Sequence, residues 1–136
     1  MSGATTRWAA RTLAALALPL GVCATPLLRC DVSYAGTTHA IEARPVMDPY
    51  PVPSVDIGGR FRFKAVMVGG GARVDRILIY AYLDTARQPI LVQEAKYLPP
   101  FRVTDKPYPL TGEQHLYAGP VERELIYSCT LEGLQP

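Results

Sequence analysis

The stretch RFRFKAVMVGGGARVDRILIYAYL, Arg60–Leu83, decides the fold class. Phe61, Phe63, Ala65 and Met67 fall on one face of its first part, and Arg60, Arg62 and Lys64 on the other. Successive side chains of an extended backbone point to opposite faces, so this period of two marks a half-buried strand. Gly69-Gly70-Gly71 then predicts a hairpin turn, where positive φ carries no Cβ penalty. Val74–Leu83 is β-branched and aromatic, which predicts a central strand. The three glycines are not a phosphate loop. That motif also needs Gly-Lys-Ser/Thr opening a helix, and here a strand follows.

The same pattern extends to both sides. Leu28–Tyr34 (LRCDVSY) alternates with period two and ends at an Ala35-Gly36 turn. His39–Val46 is a second strand candidate. Asp48–Ser54 (DPYPVPS) places a proline at every second position, which removes ladder donors and favours a polyproline-like path over a central strand. Beyond the Asp84–Pro89 turn, Ile90–Tyr97 reads as a strand ended by Pro99-Pro100. Pro107 and Pro109 keep the next segment irregular, and Gln114–Ala118 is short. Glu122–Leu131 closes the domain with Arg123, Leu125, Tyr127, Cys129 and Leu131 on one side. No stretch after residue 24 holds a helical period over three turns. Short strands separated by Gly and Pro turns predict an all-β chain, an antiparallel β-sandwich of about seven strands. It is immunoglobulin-like only loosely, because no tryptophan lies between the cysteines.

Residues 1–24 read as a cleaved secretory signal peptide. Arg7 and Arg11 supply the positive region, Leu13–Val22 (LAALALPLGV) the apolar run, and Val22-Cys23-Ala24 a cleavage site with small residues at −3 and −1. The run is too short to span a bilayer, which takes about 20 apolar residues. The arginines are not adjacent, so the route is Sec-type and the destination the periplasm. Val22 breaks the pattern of a lipoprotein signal, so Cys23 is expected to leave with the signal and not to carry a lipid anchor. Residues 25–136 then form one domain, long enough for one core.

Cleavage changes the charge and the cysteine count. The chain carries 14 Lys+Arg and 12 Asp+Glu, and loss of Arg7 and Arg11 leaves 12 against 12. A balance near zero argues against nucleic acid or an anionic membrane as partner. Three cysteines become two, Cys30 and Cys129, expected to form a disulfide joining the first strand to the last. There is no Cys-x-x-Cys that would suggest a redox or metal pair.

Catalytic constellations are thin. Ser33, Ser54 and Ser128 lie outside any Gly-x-Ser-x-Gly, and a serine nucleophile also needs a base and an orienting acid. His39 and His115 read as surface residues at strand ends. Together with Met47 and Met67 they include ligand types that copper accepts, without local ligand spacing. Met67 shares a face with Phe61 and Phe63, where it reads as core filler. Two surface features remain. Arg60, Arg62 and Lys64 form a basic row that could pair across with Glu122 and Glu124 or meet an acidic partner. Tyr80 and Tyr82, with Tyr97 near them, are cross-strand pairs or an interface anchor. The stiff Tyr50 and Tyr108 loops lose little entropy on docking. The expected role is therefore a non-catalytic binding or accessory protein of the bacterial envelope, with no cofactor and another envelope protein as partner. The alternative is a periplasmic copper or small-ligand binder.

Overall fold

The computed structural model describes Gly3 and residues 24–104, 106–119 and 123–136. The signal-peptide reading of residues 1–24, including Cys23 but not Ala24, lies outside the described residues apart from Gly3, as does Glu122. Ten strands follow one another: β1 (Leu27–Tyr34), β2 (Thr37–Ala43), β3 (Pro45–Val46), β4 (Val55–Ile57), β5 (Phe61–Gly70), β6 (Arg73–Leu83), β7 (Ile90–Tyr97), β8 (Tyr108–Pro109), β9 (Gln114–Ala118) and β10 (Arg123–Glu132). Among the described residues no helix is long and apolar enough to cross a membrane.

The strands make two five-stranded sheets. The first runs β2-β1-β10, with β8 and β9 in tandem along the far side of β10. The second runs β5-β6-β7, with β3 and β4 in tandem along the outer side of β5. Every pairing is antiparallel except β3 with β5. One core draws on both sheets: Leu28, Cys30, Val32, Leu125, Tyr127 and Leu131 from the first, Phe61, Phe63, Met67, Ile77 and Ile79 from the second. These are the alternate residues of their strands, so the period of two in the sequence becomes the inner face of each sheet.

β1 and β10 are the central strands of the first sheet, and Cys30 lies directly opposite Cys129. The two sulfurs are bonded across 99 residues of sequence, and both residues are fully buried. The bond thus links neighbouring strands of one sheet. Tyr127 reaches the other way. Its ring lies 5.1 Å from that of Phe63, and its hydroxyl donates to Gln93 Oε1 at 2.6 Å, tying β10 to β7 through the core.

Three expectations about the strands are corrected. The run His39–Val46 does not form one strand. It breaks at Arg44, and Pro45–Val46 pairs in parallel with Met67–Val68 of the second sheet. Pro45 has no N–H to continue the ladder with β1, so the chain changes sheets there. Edge fragments of two or three residues such as this one raise the number of strands above seven. The triglycine turn is also displaced. Gly69 and Gly70 belong to β5, and the loop is Gly71-Ala72, with Gly71 at φ 61°. A register shift follows Val68, and a Cβ on Gly69 would lie 2.0 Å from the Arg73 carbonyl oxygen. Gly69 is thus required by close approach of the two backbones and not by the turn.

Candidate functional site: the outer face of the second sheet

The β5–β6 register unites two features that stand apart in the sequence. Lys64 lies opposite Tyr80, and Arg62 opposite Tyr82. Phe61 and Phe63 take the inner face, so all four polar residues project outward. The Tyr80 and Tyr82 rings stack at 6.3 Å with 24° between their planes, and Lys64 Nζ lies 6.0 Å from the Tyr80 centroid. Arg62 is held in place: its Nε donates to Ser54 Oγ at 2.8 Å, and its Nη1 lies 3.7 Å from Asp84 Oδ2.

The proline-rich segment 48–54 folds over this face. The Tyr50 N–H donates to Asp48 Oδ1 at 3.0 Å, and the Val52 N–H to the Pro49 carbonyl at 3.4 Å. Val52 then packs with Val46 on Val66, Val68 and Leu78, a small apolar cluster on the solvent side of the sheet. Beside it lies a groove of about 390 Å³, with Val66 and Leu78 as floor, Tyr50 and Tyr80 as walls, and Lys64 and Arg76 as cations. A second hollow of about 250 Å³, between Val52, Ser54, Tyr82 and Pro89, adjoins it at Lys64. Among the described residues neither Lys64 nor Arg76 has an ion-pair partner. Burial first, then the charge of Glu94, raises the Tyr80 hydroxyl above its ordinary 10, so it stays neutral. An unpaired cation beside aromatic faces suits an anion attached to apolar surface.

Several sequence expectations are corrected here. Arg60 lies just outside β5. It precedes β5 in a turn, where its carbonyl accepts the Asp84 N–H at 2.8 Å. Glu124 does not face Arg62 or Lys64, because β10 belongs to the other sheet. Tyr97 lies opposite Ile77 on the inner face, away from Tyr80 and Tyr82. Sequence reasoning also missed Arg76 and Leu78, although both share the period of two with Tyr80 and Tyr82.

His115 has a different environment. On β9, its Nδ1 lies 2.5 Å from Glu124 Oε1 and its Nε2 2.8 Å from Glu113 Oε1, while the Tyr117 hydroxyl donates to Glu124 at 2.9 Å. Two carboxylates flank the ring, so both nitrogens donate only when it is protonated. The bonds to Glu124 and then Glu113 raise the His115 pKa above 6.5, and the bonds from His115 and Tyr117 lower that of Glu124 below 4.5. A raised histidine contributes stability that is full below 6.5 and lost as pH rises through the folded value. The depressed Glu124 contributes above 4.5 and loses its part as pH falls through its folded value. The clasp is therefore strongest between pH 4.5 and 6.5. His115→Gln is expected to flatten the decline in melting temperature above that window, and proton NMR to show His115 titrating above 6.5. A midpoint at or below 6.5 contradicts the double clasp.

The four residues of the copper alternative do not converge. Met67 is buried between the sheets, and Met47 is exposed in the loop after β3. His39 lies opposite Val32 on the inner side of the first sheet, while His115 lies opposite Ile126 on its outer side. Among the described residues no three His, Cys, Asp or Glu side chains gather as a metal site. Of the serines, Ser33 Oγ bonds Thr38 Oγ1 at 2.7 Å, Ser54 holds Arg62, and Ser128 lies opposite Asp31. Comparison with protein-family models, with curated proteins and with solved structures finds no match for the chain.

Proposed function

We propose that the chain is an exported, non-catalytic binding or accessory domain of the bacterial envelope, a β-sandwich of residues 25–136 released from a signal peptide. Its contact surface is the outer face of the second sheet, and its partner is another envelope protein that presents an acidic, partly apolar segment. The observation that carries this reading is the placement of Lys64 and Arg76, without ion-pair partners among the described residues, around the floor of Val66 and Leu78 and beside Tyr80. Desolvated aromatic surface next to a charge is the usual composition of an interface anchor. The stiff 48–54 segment adds preorganised area, which lowers the entropy lost on docking. The Cys30–Cys129 disulfide supports an oxidising compartment.

Native mass spectrometry of the protein purified gently from the periplasm tests this. The expected result is a second polypeptide at fixed stoichiometry that is lost from a Lys64→Glu, Tyr80→Ala variant with an unchanged circular dichroism spectrum. A wild-type chain without a partner, or a variant that retains it, overturns the reading.

A further inference from the structure

The free edge of the second sheet has a sequence complementary to itself. Among the described residues β7 is the outermost strand there and bonds only to β6. Ile90, Leu91 and Val92 are 50%, 47% and 37% exposed along it, and Leu98, just beyond it, 59%. A long apolar edge is a template for another strand, because its outward N–H and C=O groups lack partners. Residues 92–98 read VQEAKYL. Laid antiparallel against a second copy with Ala95 on the axis, Glu94 meets Lys96 twice. Val92 meets Leu98, Gln93 meets Tyr97, and the small Ala95 meets itself.

The faces of residues 93–97 agree with this register, while Val92 sits at a bulge between Leu91, opposite Tyr82, and Gln93, opposite Ala81. Glu94 and Lys96 lie opposite Tyr80 and Leu78 on the outer face, and both are exposed. Gln93, Ala95 and Tyr97 lie opposite Ala81, Ile79 and Ile77 on the inner face, and all three are half-buried. Among the described residues neither Glu94 nor Lys96 has an ion-pair partner within its own chain. Opposite charges directly across an antiparallel pair attract, and like charges repel. The other long edge, β2, lacks these properties. Its Glu42 already binds Arg29 at 2.6 Å, and it carries no exposed large hydrophobic residue.

We infer that two copies of the chain associate through antiparallel pairing of their β7 strands about Ala95, with reciprocal Glu94–Lys96 ion pairs. The result is an isologous two-fold dimer with one continuous sheet. The axis stands perpendicular to that sheet, so both Lys64 grooves open on the same side. At a strand spacing of about 4.8 Å they lie roughly 20 Å apart. A partner with two acidic segments can then be held at both grooves, which raises avidity without new contacts.

Sedimentation velocity of the oxidised protein after export, at about 1 to 200 µM, tests the dimer. Wild type is expected to form a reversible dimer. Lys96→Glu, which sets glutamate against glutamate twice, is expected to weaken it at least about tenfold, and Glu94→Lys similarly. The double exchange Glu94→Lys, Lys96→Glu restores the pairs and is expected to recover wild-type association. All three variants change exposed side chains, and their melting curves show whether the fold is kept. A monomeric wild type overturns the proposal. So does a dimer indifferent to the single reversals, or one that the double exchange does not rescue.

Discussion

The oxidised protein is expected to lose about 2 to 5 kcal/mol of stability when Cys30 and Cys129 are both replaced by alanine. For a domain of this size that lowers the melting temperature by roughly 10–25 °C. The two cysteines already face each other across β1 and β10, so the folded state keeps its ladder without the bond. The effect comes mainly from the unfolded chain, which regains the freedom of a loop spanning 99 residues of sequence. The chain-entropy account gives up to about 4.7 kcal/mol for a loop of about 100 residues. Both residues are fully buried, so a reductant attacks molecules in which β1 and β10 have opened. Reduction should therefore be slow in buffer and fast near the unfolding midpoint. Melting curves with and without dithiothreitol check this against the alanine variant, and coincident curves for all forms contradict it.

A comparable loss is expected on replacing Tyr127 by alanine, about 3 to 5 kcal/mol, as for other large aromatic residues removed from a core. Tyr127 is the largest fully buried side chain described, and it joins the two sheets by ring contact with Phe63 and by its bond to Gln93. Tyr127→Phe separates the two contributions. It keeps the ring and removes only the hydroxyl, at a cost of about 1 kcal/mol, since Gln93 is half-buried and water can satisfy its carbonyl. The same variant should alter the alkaline limb. Burial, and less so the nearby Tyr97, pushes the Tyr127 hydroxyl up to about 12. Between pH 10 and 12 the unfolded chain releases this proton and the folded one keeps it, so stability falls as pH rises. Tyr127→Phe removes that part of the fall. Chemical denaturation of the three proteins at pH 7, repeated for wild type and Tyr127→Phe above pH 10, measures both effects. Equal stability of the alanine and phenylalanine variants contradicts the assignment of most of the energy to the ring.

Much of the inner face is legible in the sequence, and the neighbours of each strand are not. Phe61, Phe63, Ala65 and Met67 alternate strictly, and alternation fixes faces whatever the partner strand. Cys30 and Cys129 were an even pair on the first and last strands, which placed the crosslink. The identity of adjacent strands depends on contacts far apart in sequence, and a period of two carries no information about it. Charge alone therefore matches Glu124 to Lys64, although the two strands belong to different sheets. Without a register the sequence leaves Tyr97 near Tyr80, and Ile77 across from it settles its face. The candidate groove was visible only in pieces. Lys64, Tyr80, Tyr82 and the proline segment each stand out in the sequence, but their meeting depends on the β5–β6 register and on Val52 finding Val66 and Leu78. Gly69 shows the reverse case: the sequence displays the residue but not its reason, the close approach of Arg73.

The crosslink between β1 and β10 also determines how the domain responds to mechanical force. Leu27 lies opposite Glu132, so the segments flanking the two strands leave the sheet at one corner. A pull applied at Ala24 and Pro136 parts residues 27–29 from 130–132, strips Leu28 and Arg29 from β2 and Thr130 and Leu131 from β8, and then meets Cys30–Cys129. Only about 10 Å of chain is released from each side before a covalent bond bears the tension. Residues 31–128, which include the entire second sheet and its groove, lie off the path of the load. Under traction the domain acts as a short inextensible link, and its outer face keeps its shape while the ends are pulled.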